Sequence, residues 1–268
     1  MRNQREKAYI CPIMELSKNS YTKEILVEWH NCNIRGELRP SAFLNHTQEI
    51  AGLHANILGF GYKDLIKENQ VWVLSRVKVK YLLYPKWGDT LTLETWHKGM
   101  LSLFGLRDFV LHDSLGRRAV VATTSWLIMN TRTRRIDRST IFNSEAYIMS
   151  RNNDSNAIEE PCGRIRRLPQ MDYARRHTVL YSDVDMIGHT NNAKYIEWIT
   201  DSIEVEFLKC HRISEFQINF NAETRIGEQI DIYKKEATGE SGRTLFFEGR
   251  RGDETVFEGK FAFTPCLP

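Results

Sequence analysis

An internal repeat constrains this chain more than any other feature of its sequence. In the first half, the residue pattern predicts a strand, a helix and four further strands, in the segments Ile25–Trp29, Pro40–Leu58, Trp72–Tyr84, Thr90–Trp96, Leu106–His112 and Ala119–Met129. The second half predicts the same order, in the segments His177–Tyr181, Asn191–Phe207, Glu215–Phe220, Gln229–Lys234, Thr244–Gly249 and Glu254–Phe263. A helix followed by an antiparallel sheet, occurring twice, indicates two similar units rather than one large domain.

The repeat predicts an α+β chain with a tandem (double) hot-dog fold, each half a long helix wrapped by a curled antiparallel sheet. Hot-dog domains work in pairs with sites at the seam, so a chain carrying two can form the pair within itself. At 268 residues, the chain is long enough to bury two cores. We expect an N-terminal hot-dog domain over residues 1–135, a basic linker over 136–174 and a C-terminal hot-dog domain over 175–268.

Each half is expected to form an antiparallel meander after its helix. A turn at Pro85–Asp89 in the first half corresponds to one at Arg225–Glu228 in the second. The second of these turns is expected to join its two flanking strands as a hairpin.

The segment between the halves is densely basic and poor in apolar residues. Arg132, Arg134 and Arg135 stand at its start. A solvated surface linker, whose arginines pair with nearby acids, is one interpretation. A dock for an acidic partner is the other, because clustered guanidinium groups bind carboxylates and phosphates. The net charge of +3 is too small to indicate nucleic acid.

Composition narrows the class of protein. No apolar run approaches the roughly 18 residues that a membrane span needs, and the amino terminus lacks the apolar stretch of a secretory signal. We therefore expect a cytoplasmic protein. The five cysteines are scattered and include no CxxC pair, so the sequence predicts neither a disulfide framework nor a zinc site.

One stretch of the second half, Tyr181–Asp201, carries the side chains best suited to chemistry. It predicts a strand end, a tight polar turn and the start of a buried helix. Asp185 and His189 flank Gly188, which allows a sharp turn because a residue without Cβ accepts positive φ. An acid and an imidazole are thus expected where a strand gives way to a helix.

The start of that helix is a candidate anion site. Asn191 or Asn192 can cap it, because an asparagine oxygen accepts a hydrogen bond from a first-turn N–H group. The remaining N–H groups there can stabilise an oxyanion. Gly188, Asn191 and Asn192 are therefore the candidate substrate or oxyanion residues.

The matching place in the first half, Cys32–Leu38, keeps Gly36 but has no equivalent of Asp185 and His189. A feature found in only one of two parallel repeats is hard to explain as a folding requirement common to both. The sequence therefore predicts a single active site, in the second half.

The same residues allow other interpretations. Asp183, Asp185 and His189 form an incomplete metal-ligand set, and no His or Cys cluster completes it, so no metal site is predicted. Glu223 is an acid in an apolar and small-residue stretch that could reach the helix start. Taken alone, its position favours an outward-facing residue of the sheet.

Three segments together resemble the acyl-carrier-protein thioesterases of plant plastids and their bacterial relatives. They are WVLSRVKVKYLLYPKWGD at Trp72–Asp89, SWLIMNTRTRRI at Ser125–Ile136, and YSDVDMIGHTNNAKYIEW at Tyr181–Trp198. The likeness runs from about Leu26 to Phe263 and includes the order of both repeats. It implies a tandem hot-dog hydrolase that cleaves fatty acyl groups from acyl carrier protein (ACP), with catalytic residues in the second domain and the acyl chain lodged largely in the first.

Carried over residue by residue, the resemblance assigns the family's catalytic Asp, His and Glu to Asp185, His189 and Glu223. Two positions depart from the family pattern. Ile187 stands where many members have an asparagine two residues after the Asp, and Thr224 stands where plant members often have a cysteine after the Glu. A cysteine mechanism cannot apply to this chain.

The resemblance implies hydrolysis without a metal or organic cofactor. Asp185 is expected to act as general base on a water, or to attack the thioester directly, while His189 and Glu223 orient the water. The acyl tail is expected along Phe43, Leu44, Ile50 and Leu58 of the first helix. An acyl-CoA thioesterase of the same fold and a non-catalytic acyl-binding protein remain as alternatives.

ACP is acidic and its arm carries a phosphate, which gives Arg132, Arg134 and Arg135 a docking role. Charge reversal at all three is expected to raise KM for a protein-borne substrate far more than for a small thioester. Acyl length, the choice between ACP and CoA, and association into a homodimer are left open by the sequence.

Overall fold

The computed structural model describes residues 19–152, 155–239 and 242–266, and these ranges contain one sheet of ten strands. Five strands belong to the first half: β1 Tyr21–Leu26, β2 Gln70–Tyr81, β3 Thr90–Leu101, β4 Phe104–His112 and β5 Arg118–Asn130. Five belong to the second: β6 Asp172–Thr178, β7 His211–Phe220, β8 Gln229–Gly239, β9 Gly242–Arg251 and β10 Glu254–Pro265. Residues 1–18, including Cys11, lie outside the described residues.

The order of the strands mirrors itself about the centre of the sheet. It reads β1-β3-β4-β5-β2-β7-β10-β9-β8-β6, with every described pair antiparallel. Each strand of the first half thus has a counterpart in the second, and β2 pairs with β7 where the halves meet, Val79 opposite Phe216. The α+β tandem hot-dog prediction is confirmed.

Two expectations about pairing are wrong. The strands β7 and β8 do not form a hairpin about Arg225–Glu228, because β7 pairs with β2 and β10 while β8 pairs with β6 and β9. The first half is not a simple meander either, since β2 pairs with β5 and β3 with β1. Pairing β2 with β7 joins the halves, so the turn after each of these strands must carry the chain across the sheet.

Each half contributes one principal helix. The first, α1, runs Pro40–Ile57, with Pro40 at its first position, where a missing N–H costs nothing. After the short helices α2 (Tyr62–Leu65) and α3 (Glu145–Met149), the principal helix of the second half is α4, Asn192–Thr200, followed by α5, Val205–Cys210.

The single long helix predicted over Asn191–Phe207 is therefore wrong. The chain leaves the α-helix at Asp201, and the N–H groups of Ser202 and Ile203 bond three residues back, to Ile199 and Thr200. Such bonds tighten a last helical turn. The Ser202 hydroxyl donates to Trp198 O at 2.7 Å, so a side chain competes for a helical carbonyl.

One hydrophobic core runs through both halves. It contains Phe43 and Ile50 of α1, Ile196 and Ile199 of α4, and Phe216 of β7, all essentially inaccessible to solvent. Burying side chains of this size contributes about 1.5–3 kcal/mol each. The halves are therefore held together by shared packing as well as by the β2–β7 ladder.

The segment predicted as a surface linker is anchored to the first half. Tyr147 of α3 packs against Phe60, and Ile158 is buried against Trp96 and Val121. Strand β6 begins at Asp172, inside the segment predicted as linker. The domain boundaries themselves stay a prediction. None of the helices in the described ranges is long and apolar enough to cross a membrane.

Candidate active site

The loop between β6 and α4 holds Asp185 in a closed turn. Its backbone N–H donates to His189 O at 2.9 Å, and Gly188 N donates back to Asp185 O at 3.0 Å. Gly188 has φ of +79°, a backbone conformation that residues with a Cβ adopt only at a cost in free energy. The Asp185 carboxylate accepts the Ile187 N–H through Oδ1 at 3.0 Å. One carboxylate oxygen therefore fixes the turn, and the structure assigns no partner to Oδ2 within the described ranges.

A buried network of hydroxyl groups ties this loop to the segment after β7. Thr190 N donates to Thr224 O at 3.0 Å, and the two threonine hydroxyls lie 2.6 Å apart. The Tyr195 hydroxyl lies 2.9 Å from Thr224 Oγ1, and burial raises the pKa of Tyr195 to about 12. Thr224, at the position of the family cysteine, is therefore part of this network.

The threonine network places Glu223 beside the loop. Its Oε2 lies 3.3 Å from His189 Nε2, so the structure brings together two of the three predicted catalytic side chains in direct contact. Asp185 is half-buried near the same imidazole, and its charge acts on it. All three predicted catalytic residues thus lie in one small region of the second half.

A residue from the other half completes this group. Asn130, at the end of β5, accepts the N–H groups of Arg132 and Thr133 through its side chain, which shapes a tight turn. Arg134 follows at φ of +58° and forms an ion pair with the carboxylate oxygen of Glu223 that also faces His189. All three arginines predicted as docking residues, Arg132, Arg134 and Arg135, are exposed, and Arg134 is the one whose side chain contacts Glu223.

His189 is held largely neutral by its surroundings. Burial lowers its pKa below 6.5, and Arg134 and Arg225 lower it further, while Asp185 acts in the opposite direction. Glu223 would also raise the pKa, but Arg134 shares the same carboxylate oxygen and offsets its charge. A neutral imidazole can accept a proton or a hydrogen bond.

We expect Arg134→Gln to raise the pKa of His189, because it removes a nearby positive charge and frees the Glu223 carboxylate to favour imidazolium. NMR titration of the His189 ring protons measures this shift. Arg132→Gln, an equal loss of charge two residues away, is the control and should leave the pKa of His189 unchanged. A His189 pKa that does not move in Arg134→Gln would contradict this account.

The loop uses some of the N–H groups predicted to hold an oxyanion. Gly188 N donates to Asp185 O and Asn191 N donates to Asp183 O. These two N–H groups close the turn and are therefore not free to bind a substrate. Asn191 caps α4, its Oδ1 accepting Ala193 N at 2.9 Å. Across the described ranges, the backbone N–H groups of His189 and Asn192 have no acceptor and remain available.

Asp183, which also figured in the metal interpretation, has a structural role. It accepts hydrogen bonds from His177 Nε2 and from Leu180 N, each at 2.8 Å. These bonds hold the turn that precedes Asp185. They lower the pKa of the Asp183 carboxyl against the opposing effect of burial.

Gln48 of α1 joins the site to the first half. Its side-chain amide donates to Asn191 Oδ1 at 3.2 Å and accepts from Asn192 Nδ2 at 3.1 Å. The same Gln48 lines a cavity of about 150 Å³ inside the first half. The amino end of α4 is therefore one side chain away from the lining of this cavity.

The cavity is walled mainly by aromatic and small side chains. Ala51, Gly52 and Ala55 present the α1 side, and Trp72, Trp126 and Tyr147 are among the aromatic residues opposite. The residues predicted to line an acyl pocket do not line it: Phe43, Leu44 and Ile50 fill the core, and Leu58 packs near Phe60. Large side chains fill volume, whereas the small residues of α1 leave it open.

The first-half loop Cys32–Leu38 has the same backbone form. A bridge between Cys32 and Leu38 corresponds to the bridge between Val184 and Thr190, and Gly36 has φ of +71°. The two loops therefore form the same kind of turn, one before α1 in the first half and one before α4 in the second.

Their side chains differ. Asn33 takes the place of Asp185 and accepts the N–H groups of Arg35 and Glu37. Glu37 takes the place of His189 and is buried in ion pairs with Arg35 Nε at 2.8 Å and Arg212 Nε at 2.6 Å. The counterpart of the site is thus filled by an internal charge cluster.

Gln48 and the contact of Arg134 with Glu223 are parts of the site that the sequence does not predict. Gln48 interrupts the face of α1 that carries Leu44, Ala51 and Ala55, which is a polar residue on an otherwise apolar stripe. The pairing of Arg134 with Glu223 joins residues far apart in sequence. No local pattern could have indicated it.

Comparison with known protein families follows the division into halves. Residues 18–141 match the family model described as acyl-ACP thioesterase N-terminal domain, and residues 168–263 match that of the acyl-ACP thioesterase C-terminal domain. Oleoyl-acyl carrier protein thioesterase 2 of Arabidopsis thaliana, described as chloroplastic, is 26% identical over 226 residues, covering 79% of this chain and 62% of that protein. This chain thus spans less than two thirds of the length of that relative.

Solved structures show the same similarity. An acyl-ACP thioesterase from Bacteroides thetaiotaomicron has a TM-score of 0.81 at 26% identity, covering 93% of this chain and 100% of that chain. The 12:0-ACP thioesterase from Umbellularia californica has a TM-score of 0.84 at 23% identity, covering 92% and 94%, and supports the fold alone.

Proposed function

This chain belongs to the acyl-ACP thioesterase family, and on that premise we propose that it hydrolyses fatty acyl-ACP thioesters to free fatty acid and ACP. The observation that carries the proposal is the meeting of Asp185, His189 and Glu223 at the start of α4. Gln48 connects this group to a cavity in the first half. A carboxylate and an imidazole can act as acid and base in acyl transfer to water, and an apolar cavity beside them can hold an acyl chain.

In the proposed reaction, Asp185 takes a proton from a water as that water attacks the thioester carbonyl. The alternative open to Asp185 is direct attack, which gives an anhydride that water then cleaves. Either route breaks the C–S bond, adds the elements of water and releases a thiol and a carboxylic acid. The Oδ1 contact with Ile187 N leaves the second carboxylate oxygen for the reaction.

Around Asp185, His189 and Glu223 orient the water and exchange its proton. Arg134 and Glu223 form one ion pair, which holds the carboxylate against the imidazole. The N–H groups of His189 and Asn192 are the proposed donors to the developing oxyanion. Each such donor contributes about 3–4 kcal/mol in acyl-transfer sites.

Ile187 occupies the family position of an asparagine, and its side chain is 47% exposed. It contributes its backbone N–H to the Asp185 turn but has no polar group to offer a substrate. The amide that other members present here is replaced in this chain by an apolar surface at the edge of the site.

The acyl tail is proposed to enter the cavity beside Gln48 and to run along Ala51 and Ala55. Burying each further CH₂ contributes about 0.8 kcal/mol, so the depth of the cavity sets the preferred length. Free fatty acid release from a chain-length series of acyl-ACP substrates tests the proposal, and matched acyl-CoA substrates test the choice of carrier. No release from any acyl-ACP would overturn it.

ACP is the proposed partner, and Arg132 and Arg135 are its proposed contacts. Arg134 is left out of that set, because its ion pair with Glu223 supports a role beside the proposed catalytic residues instead. A cytoplasmic location and a homodimer stay predictions.

The double variant Arg132→Glu, Arg135→Glu is expected to raise KM for acyl-ACP at least about tenfold while leaving KM for a small acyl thioester nearly unchanged. Two reversed charges weaken attraction to an acidic partner, and they do so most at low salt. Lys23→Glu, a reversal at an exposed position of the edge strand β1, is the control. Equal changes in KM for both substrates would exclude a docking role.

A further inference from the structure

The cavity proposed for the acyl chain contains a buried cation. Arg107 of β4 lines the cavity, and only 6% of this residue is exposed to solvent. Its Nη1 donates to His54 Nδ1 and to Thr95 Oγ1, each at 3.1 Å. Within the described ranges, no partner is assigned to the N–H groups of its Nη2 and Nε.

No carboxylate in the described part of the chain pairs with Arg107. The adjacent Asp108 lies on the other face of β4, where it pairs with Lys98 at 3.2 Å and accepts Ala157 N at 2.8 Å. Burial lowers the pKa of Arg107 to about 10, which leaves it charged at neutral pH. A buried charge without a counter-ion is costly, so a site of this kind is suited to receive one.

The groups around Arg107 add hydrogen-bonding capacity without adding negative charge. Burial, with Arg107 nearby, lowers the pKa values of His54 and His97 to about 3, so both imidazoles are neutral. In the described structure, His54 Nε2 and His97 Nδ1 are buried without a hydrogen-bond partner. Arg151 adds a second positive charge near His97 and Tyr147.

Arg107 and Gln48 both line the cavity, and Arg107 is the further of the two from the start of α4. Gln48 marks the near end by its contacts with Asn191 and Asn192, and His54, which contacts Arg107, is six residues further along α1. At a rise of 1.5 Å per residue, Gln48 and His54 are separated by about 9 Å along α1. A chain of about that length that enters beside Gln48 would therefore meet the guanidinium group with its terminal atoms.

We propose that the cavity accepts an acyl chain whose far end carries a carboxylate, which pairs with Arg107. The guanidinium fork matches a carboxylate in shape and charge and can donate two parallel hydrogen bonds from its unassigned N–H groups. A methyl-terminated chain of the same length would displace water from this cation without forming a hydrogen bond or an ion pair with it. The substrate class inferred is the monothioester of a dicarboxylic acid, and this inference rests on the proposed function.

Ligand binding can be measured without turnover. The probes are two N-alkyl amides of equal length, one made from a monocarboxylic acid and one from a dicarboxylic acid with its far carboxylate free. The amide replaces the thioester and prevents hydrolysis. It also leaves no carboxylate at the head of the chain, so the methyl-terminated probe cannot bind Arg107 in the reverse orientation. Trp72 and Trp126 line the cavity, so tryptophan fluorescence reports binding.

The carboxylate-terminated amide is expected to bind the wild type about 10-fold to 100-fold more tightly than the methyl-terminated one, the usual range for a hydrogen-bonded charged pair. Arg107→Met is expected to lose this preference, and Arg107→Lys to keep part of it. Thermal unfolding of each variant checks the fold, and Arg107→Lys keeps a donor for His54 and Thr95 where Arg107→Met removes it. Equal affinity of the wild type for both amides, or an unchanged preference in Arg107→Met, would overturn the proposal.

Hydrolysis of matched thioesters separates this inference from the proposed function. If the wild type cleaves methyl-terminated and carboxylate-terminated thioesters at equal kcat/KM, the thioesterase activity stands and the role of Arg107 fails. If the carboxylate-terminated amide binds selectively but neither thioester is cleaved, the cavity assignment stands and the proposed function fails.

Discussion

Replacing Asp185 by asparagine is expected to lower kcat for thioester hydrolysis by about 10²-fold to 10⁴-fold, the range that a positioned general base contributes. Asparagine removes the basic oxygen but keeps an acceptor for the Ile187 N–H group. The first half shows that this exchange is tolerated, because Asn33 forms the same kind of turn with Arg35 N at 2.8 Å. The variant should therefore fold and bind acyl-ACP while failing to cleave it.

Free fatty acid release measures this effect, and substrate binding and thermal unfolding show that the rest of the protein is intact. Asp113→Asn is the matched control, because Asp113 also accepts backbone N–H groups in a turn but lies outside the site. It should retain wild-type kcat. Equal background release by wild type and Asp185→Asn would show that the protein binds acyl groups without hydrolysing them.

The second large effect is expected from the pair His189 and Glu223. We expect His189→Ala and Glu223→Gln each to lower kcat about 10²-fold, and the double variant to lose little more than either single one. Groups that act as a unit show strongly non-additive effects. The geometry predicts such a unit, because one carboxylate oxygen contacts both the imidazole and Arg134.

A complete double-mutant cycle of kcat values, measured on one acyl thioester, provides the test. Thr255→Val is a suitable control for loss of a polar contact in the same half, since its hydroxyl bonds Glu248 rather than the site. Multiplicative losses in the double variant would mean that His189 and Glu223 act independently. The arrangement of the two side chains would then have no bearing on the proton transfer.

Local sequence pattern was sufficient for elements whose formation depends on their own residues. The helix from Pro40 ends one residue from its predicted end, and strands such as Thr90–Leu101 begin where the alternation of apolar residues begins. The pattern failed where tertiary contacts compete with it. Between Asp201 and Glu204, apolar spacing continues through residues that leave the helix, because Ser202 bonds a helical carbonyl and Ile203 is drawn into the core.

The lining of the cavity shows the same limit. Apolar size suggested Phe43 and Ile50 as pocket residues, but large side chains on α1 pack against the facing helix and sheet. Open volume is left where the residues are small, at Ala51 and Gly52. Which face of a helix borders a void depends on what the rest of the chain places opposite it.

The sequence by itself determined the duplicated order of helix and strands, the turn that carries Asp185 and His189, and the absence of that pair from the first repeat. These depend on residue type and short spacing, which act locally. Only the tertiary structure decided that Arg134 meets Glu223, that Gln48 reaches Asn191, and that Arg107 is buried beside a cavity with no carboxylate partner among the described residues. The first two contacts depend on the pairing of β2 with β7, which joins the halves, and the third depends on how α1, β3 and β4 pack together. None of these has a signature in local periodicity.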